Sequence, residues 1–368
     1  MTKSFFVSIL TLCLSAIPLA IASNSANAAP QGAGSSFKYV ELNKIGDPAD
    51  VLEVKDGVAP SLADGEIRIA VLAAPIHPSN LLQIAGNYGT AAVLPSTPGS
   101  EGVGRVLELS PAVTHLSVGQ LVLLPGLGTW TEQLVVSAAG VIPLPDLGKP
   151  DAAVIEQLSM TAINPLTALL MLTSYVDLKE GDWIVQSASN SAVGGYLIQL
   201  AKQRGIKTVN VVRREGLAED LMAKGADVVL VDSPDLAKQI ATATNNAPVV
   251  LAIDAVAGET FSRLAESLST GGTLVAYGAM SGKAPVLNTG AVIFNDIRVR
   301  GFWLSKWFQT ASMAEKQGAF GQVIPLIASG DLAADIDSRY SVAEIKQAVT
   351  RAGQRGRNGK VLIVPNAY

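Results

Sequence analysis

Residues 183–214 constrain this chain more than any other stretch. An apolar strand (Trp183–Gln186) leads into a loop of small residues (Ser187–Gly195). An apolar helix ending at Gly205, a second strand (Thr208–Val212) and the pair Arg213-Arg214 follow. Elements in this order and at this spacing are the layout of a dinucleotide-binding βαβ unit. The glycine fingerprint of such units is almost absent. Its six positions read Ser189-Asn190-Ser191-Ala192-Val193-Gly194, with only the last glycine in place, so the reading rests on context. A pyrophosphate needs backbone N–H groups at a helix N-terminus and no bulky side chain in the way. Ser187–Gly195 meets both conditions, its serines add hydroxyl donors, and Gly194 keeps helix and strand close. An ordinary serine-capped βα turn would satisfy the same pattern. The end of the second strand separates the two: a ribose 2′-OH calls for a carboxylate there, a 2′-phosphate for arginine. Two arginines occupy that place and the first acid is Glu215, which favours NADPH over NADH; a solvated basic pair is the plain alternative.

With 368 residues, 49 % hydrophobic and 16 % charged, the chain is long and apolar enough for two packed cores, and disordered or fibrous classes are excluded. A net charge of −4 and the lack of any basic run interleaved with aromatics argue against nucleic acid or an anionic membrane surface as partner. Lys3, the apolar run Phe5–Ala22 and the triplet Ala26-Asn27-Ala28 predict a secretory signal peptide over residues 1–28, cut near Ala28, and hence a secreted or periplasmic protein. A membrane anchor is the alternative; Pro18 within the run and the small-residue stretch after it favour cleavage and no stable anchor. The single cysteine, Cys13, lies in that run. The remainder has two histidines, His77 and His115, and no thiolate, so neither a Cys/His zinc site nor a cysteine nucleophile can be assembled.

From Tyr39 to about Ile142 the chain reads as short strands with closely spaced turns; Gly65–Val71 alternates polar and apolar residues as a half-buried strand does. The pattern then changes. Thr161–Tyr175 is helical in spacing, with Pro165 near its start. Beyond it strands at 183–186, 208–212, 228–231, 249–254 and 273–277 alternate with helices at 196–204, 216–224, 236–244 and 260–268. That alternation predicts a doubly wound parallel sheet. Val299–Leu304 is a further strand candidate, Ala311–Ile327 and Ala343–Ala352 read as helices, and Lys360–Val364 as a closing strand that rejoins the first part of the chain.

Several segments carry a family resemblance. Pro98-Gly99-Ser100-Glu101-Gly102-Val103-Gly104 and Val118-Gly119-Gln120-Leu121-Val122 resemble the medium-chain dehydrogenase/reductase superfamily. Gly86-Asn87-Tyr88-Gly89, Gly126-Leu127-Gly128-Thr129-Trp130, Asn164-Pro165 with Thr167-Ala168, Ala188-Ser189-Asn190-Ser191, and Gly301-Phe302-Trp303-Leu304-Ser305 with Trp307 are similar to its zinc-independent, NADPH-dependent trans-2-enoyl-thioester reductases of the mitochondrial type. The resemblance implies an α/β fold: a GroES-like β-rich catalytic domain over 37–165, completed by 310–368, and a Rossmann domain with a doubly wound parallel sheet over 166–309. It implies Tyr88 as proton donor. It also implies NADPH contacts from Asn164, Ser191, Ala192, Val193, Gly194, Arg213, Arg214, Glu215, Tyr277, Gly278, Ala279, Met280, Phe302, Trp303, Leu304 and Lys360, and a homodimer. Ala192 and Ala279 stand where the family has glycine, and alanine is small enough to be tolerated.

Reducing an α,β-unsaturated thioester puts negative charge on the thioester oxygen and then requires a proton at Cα, chemistry for which no metal is needed. A tyrosine hydroxyl near pKa 10 suits that donor; taken without the resemblance, Tyr88 reads more readily as a surface aromatic. His77 reads as structural and His115 as exposed. An NADPH:quinone or enone reductase would use the same cofactor site with no special role for Tyr88. A third reading, which the leader favours, is an exported relative that binds a ligand without turnover.

Overall fold

A computed structural model of the chain describes residues 34–368. The leader reading over 1–28 falls outside the described residues. Two large sheets each have apolar clusters of their own and meet at one that they share. The six-stranded sheet is parallel throughout, in the order Val228–Val231, Lys207–Val212, Trp183–Gln186, Val249–Asp254, Thr273–Ala276, Arg298–Gly301. Numbered along the chain that is 3-2-1-4-5-6, the doubly wound order whose switch point lies between the first and fourth strands. Val, Ile and Leu dominate these strands because helices cover both faces.

The other large sheet is built around the long strand Glu66–Pro75, paired antiparallel with Val103–Leu109 on one side and Gln133–Ser137 on the other. Its far end takes in the C-terminal strand Lys360–Ile363, with Leu362 opposite Pro75 and Ile363 opposite Ala74. The chain's last strand therefore returns to the part in which it began. A buried helix, Asn164–Thr173, joins the two halves: nine of its ten residues are buried. A helix apolar on every face must lie inside. Leu166, Leu169 and Met171 belong to one apolar cluster with Leu72 and Val103 of the β-rich part and Ile184 and Leu251 of the parallel sheet. At about 1.5–3 kcal/mol per buried Leu, Ile or Val side chain, this shared cluster welds the halves together.

Three expected elements differ. The strand read over Val299–Leu304 stops at Gly301, and Leu304 opens a helix, Leu304–Thr310. The β-like composition of Phe302 and Trp303 reflects a packed turn beyond the sheet. The helix read from Ala311 begins at Met313 because Ser312 caps it, its hydroxyl accepting from Glu315 N while Glu315 reaches back to Ser312 N. The helix expected over Thr161–Tyr175 is shortened to Asn164–Thr173, with Pro165 in its first turn as expected.

Candidate active site

The expected cofactor residues line one edge of the parallel sheet. Residues 187–191, 213–215, 277–280 and 302–304 follow the carboxyl ends of the first, second, fifth and sixth strands of the chain's βα series. The loops are tied to one another in sheet order. Ser189 N donates to Val211 O (3.3 Å), Ser187 N to Ile253 O (3.0 Å), Tyr277 N to Asp254 O (2.9 Å) and Phe302 N to Ala276 O (2.9 Å).

The serines of the loop act differently from expectation. Ser187 is buried and gives its hydroxyl to Asp254 Oδ1 (2.6 Å), while its Oγ accepts from Ala255 N (2.9 Å). Ser189, also buried, has its hydroxyl within hydrogen-bond distance of Gln186 O (3.1 Å) and Val211 O (3.2 Å). Neither is a free donor for a ligand; both fasten the loop to the sheet. Ser191 caps the helix Ala192–Gln203 by accepting from Gly194 N (3.1 Å). The N–H groups of Ala192 and Val193 have no intrahelical partner and remain for an anion at the positive end of the helix dipole. Gly194 is required sterically: a Cβ there would lie 2.4 Å from Ser189 O and 2.7 Å from its Cα. Gly278 meets a comparable limit, with a Cβ 2.9 Å from Ala255 O.

Sequence reasoning passed over the groups that hold this edge in shape. Asp254 is fully buried and accepts from Ser187 Oγ, Val256 N and Ala257 N, fixing the fourth strand's loop against the first. Gln186 Nε2 donates to Gly194 O (3.1 Å) and Asn210 Oδ1 (2.8 Å). The available signal was a polar residue at the end of two apolar strands, Gln186 and Asp254, and Asn210 within a third, since a buried polar side chain must find a partner.

Arg213, Arg214 and Glu215 are exposed just past the strand Lys207–Val212. Ala279 and Met280 are exposed beyond Thr273–Ala276, and Tyr277 is half-buried. Burial pushes the Tyr277 hydroxyl well above its ordinary value, partly offset by its hydrogen bond with Ser191, so it stays a neutral hydroxyl. Phe302 and Leu304 are half-buried and pack with Trp307 against the shared core. Trp303 is more exposed, and its Nε1–H donates to Tyr88 Oη at 3.2 Å. That bond brings the two halves of the site together, since Tyr88 follows the helix Pro78–Ile84 of the β-rich part.

Asn164 is buried at the start of its helix, and Lys360 is placed apart from the exposed arginines. The Lys360 ammonium donates to Ile76 O (3.0 Å) and lies 3.0 Å from His77 Nδ1. His77 Nε2 is 2.7 Å from Glu101 Oε1, and Glu101 Oε2 accepts from Ala162 N (2.7 Å) and Ile163 N (3.0 Å). Burial pushes the Glu101 carboxyl up and the Lys360 ammonium down, each opposed by the other's charge. Burial, then the charges of Lys360 and Arg357, keep His77 neutral. Among the described residues no three His, Cys, Asp or Glu side chains are grouped to hold a metal.

The chain matches two family descriptions, an alcohol dehydrogenase GroES-like domain over residues 63–146 and a zinc-binding dehydrogenase over residues 192–328. It is 34 % identical over 348 residues to a mitochondrial enoyl-[acyl-carrier-protein] reductase of Dictyostelium discoideum, covering 89 % of this chain and 95 % of the relative. The mitochondrial 2-enoyl thioester reductase Etr1p/Etr2p heterodimer of Candida tropicalis superposes with a TM-score of 0.81 at 28 % identity, over 90 % of this chain and all of that one; a structure of Etr1p with NADP and crotonyl-CoA fits equally well, at 27 % identity. A mycobacterial quinone oxidoreductase has a TM-score of 0.76 at 25 % identity, over 89 % of this chain and all of that one. These relatives overturn the secreted or periplasmic placement. That placement rested on the charge and apolarity of 28 N-terminal residues, a pattern that fixes no destination by itself, whereas proteins matched over nearly the whole chain are mitochondrial. The reading of an exported protein that binds without turnover falls with it.

Proposed function

The chain belongs to the medium-chain dehydrogenase/reductase superfamily, together with enoyl-thioester reductases, and on that premise we propose that it reduces the C=C bond of trans-2-enoyl thioesters with NADPH, Tyr88 giving the proton and no metal taking part. The observation that carries this reading is the Trp303–Tyr88 hydrogen bond. It holds a phenol across the cleft from the cofactor edge and leaves the phenol's own proton free to be given away. An indole N–H on the phenol oxygen also stabilises the charge left there once the proton has gone.

The residues at the sheet edge fit NADPH. The N–H groups of Ala192 and Val193 would take the pyrophosphate, and Arg213 and Arg214 would pair with the 2′-phosphate. Asn164, Tyr277 to Met280 and the Phe302–Leu304 turn would line the rest of the dinucleotide's path. When bound, NADPH supplies the hydride. Tyr88 Oη delivers a proton to the substrate's α-carbon, and Phe302, Leu304 and Trp307 form an apolar wall that keeps water from the reacting carbons. Lys360 would contribute any nucleotide contact through the ammonium hydrogen that Ile76 and His77 leave free.

The test is NADPH oxidation with crotonyl-CoA by the wild type and Tyr88→Phe. General acid catalysis contributes about 10²–10⁴-fold, and a loss in that range is expected. The quinone oxidoreductase likeness supports a second reading on the same cofactor site. Quinone reduction at equal rates by both proteins, with no enoyl activity in either, would establish that reading instead. A homodimer is part of the proposal. Strand Arg298–Gly301 is one of the two edges of the parallel sheet, and exposed Val299, Ile293 and Phe294 lie on or just before it. Light scattering that gives a monomer at micromolar concentration would refute pairing there.

A further inference from the structure

Away from the exposed edge, the described residues hold one cluster of deeply buried ionisable groups, Glu101, His77 and Lys360, exposed by 1 %, 3 % and 5 % respectively. None of these groups itself gives or takes the proton that Tyr88 donates, and three ionisable side chains in an apolar interior are costly unless each is fully bonded. They are bonded as one chain, which links the start of the helix Pro78–Ile84 to the residues just ahead of Asn164.

We propose that Glu101, His77 and Lys360 are positioning residues: a buried hydrogen-bonded brace that sets the Tyr88 loop against the helix beginning at Asn164. The inference rests on the enoyl-reductase reading for its catalytic consequence, though not for its geometry. On one side, Glu101 Oε2 accepts the N–H groups of Ala162 and Ile163. Those are orphan donors just ahead of a helix whose N-cap, Ile163, has no side chain able to cap it. A carboxylate there satisfies both and interacts favourably with the helix dipole. The place of Asn164 is thereby fixed by Glu101.

On the other side, Glu101 Oε1 accepts from His77 Nε2. His77 immediately precedes the helix Pro78–Ile84, and its own N–H donates to Asn80 Oδ1 at 2.8 Å. Asn80 in turn donates to Ser100 Oγ at 3.0 Å, a second tie between this helix and the turn that carries Glu101. The helix closes with Asn87 N donating to Leu82 O, and Tyr88 is the next residue. With its proton on Nε2, His77 offers Nδ1 to the Lys360 ammonium, which also holds Ile76 O and so pins the start of the helix to the C-terminal strand. Both oxygens of Glu101 and both ring nitrogens of His77 are used in this single arrangement. The same arrangement explains why the last strand of the chain must come back to the first sheet: it brings Lys360.

Glu101→Gln is nearly isosteric and tests the brace. Its amide N–H₂ must either face the donors of Ala162 and Ile163 or turn to His77 Nε2. The latter forces a proton onto Nδ1, against the Lys360 ammonium. Lys360→Met is the second variant, removing the ammonium at similar length. A misplacement of about 1 Å costs about 10²-fold in rate, so kcat with crotonyl-CoA should fall by about that factor with little change in KM. In the Tyr88→Phe background, at saturating NADPH, the same substitutions should cause a much smaller further loss in kcat, because only their effects through Asn164 and the Lys360 nucleotide contact remain. The indole N–H resonance of Trp303, identified by Trp303→Phe, should shift in both variants, while that of Trp183 stays in place. A rate loss of equal size in both backgrounds, or an unmoved Trp303 resonance, would overturn the proposal. If the wild type fails to reduce enoyl thioesters, the enoyl-reductase reading is what falls; the Trp303 resonance alone then decides the brace, a shift supporting it and no shift refuting it.

Discussion

Gly194 and Gly195 are neighbours in one helix, and adding one methyl group to each should have opposite effects. At Gly194 an alanine Cβ would sit 2.4 Å from Ser189 O and 2.7 Å from Ser189 C and Cα. These are backbone atoms, roughly 1 Å inside van der Waals contact, so no rotamer change relieves them. Overpacking of this kind costs about 1–3 kcal/mol, against a gain of about 1 kcal/mol from replacing glycine inside a helix. Gly194→Ala should therefore lose up to about 2 kcal/mol, or up to about 3 °C in Tm for a chain this size. The loop must move to make room, taking the N–H groups of Ala192 and Val193 with it. A charge-assisted hydrogen bond is worth about 1.5–3 kcal/mol, so the NADPH Kd should rise about tenfold or more. At Gly195 the atom nearest to an added methyl would be Lys224 Cδ at 3.9 Å, ordinary contact. Gly195→Ala should gain up to about 1 kcal/mol, raise Tm by up to about 1 °C and leave Kd unchanged. Thermal melts and NADPH fluorescence titrations on the two variants make the comparison. If both move Tm in the same direction and bind NADPH alike, the close contact between Ser189 and Gly194 is not what shapes this loop.

Replacing both Arg213 and Arg214 with alanine should raise the NADPH KM by about 10–100-fold, the loss of charge-assisted bonds to a phosphate, and leave the NADH KM nearly as it was; an unchanged ratio of the two would remove the 2′-phosphate assignment. Ser187→Ala deletes the hydroxyl 2.6 Å from buried Asp254 and should lower stability by about 1–3 kcal/mol; a urea midpoint equal to that of the wild type would show that Asp254 does not depend on it. The Arg351 guanidinium beside Asp337 holds that carboxyl below its ordinary 3.8, so the pair contributes stability that is present above this value and lost as pH falls through the lower folded-state value. The stability gap between wild type and Arg351→Gln should thus be full at neutral pH and close in strong acid, and a gap independent of pH in urea titrations would contradict the assignment.

How much of this was legible in the sequence depends on the range of the interaction. The parallel strands were readable because burial on both faces gives continuous apolar runs, and Trp183–Gln186, Val228–Val231 and Val249–Asp254 lie where the pattern placed them. Val299–Leu304 misled because Phe302 and Trp303 pack beyond the end of a strand, and hydrophobic patterning does not distinguish a strand residue from one that walls a cleft. Tyr88 could be named only through family resemblance. Its partner Trp303 is 215 positions away, and no local periodicity records such a pairing. Glu101 lies in the segment Pro98–Gly104 that carries the superfamily resemblance, yet its bonds to residues 61 and 62 positions later and to His77 became visible only with the fold. The error of location has a similar origin: the composition of a short apolar segment was given more weight than the chemistry of the rest of the chain.

The loop at Ser187–Gly195 shows what can stand in for the missing glycines of a dinucleotide fingerprint. Glycine serves such loops by allowing left-handed backbone and close approach. Here Ala188 adopts the left-handed conformation at φ 50°, which costs an L-residue roughly 1–2 kcal/mol. The two serines flanking it hold it there: Ser187 bonds Asp254 and Ser189 reaches the carbonyls of Gln186 and Val211. Their hydroxyls point into the protein and supply the rigidity, while the helix N-terminus beyond Ser191 is left to meet the ligand. Only at Gly194 is there no such substitution, because the constraint there is backbone against backbone and no side chain can relieve it. A fingerprint can therefore lose its first two glycines and keep its geometry, with Ser189 tied to a neighbouring strand and Ser191 capping the helix; the last glycine has no equivalent.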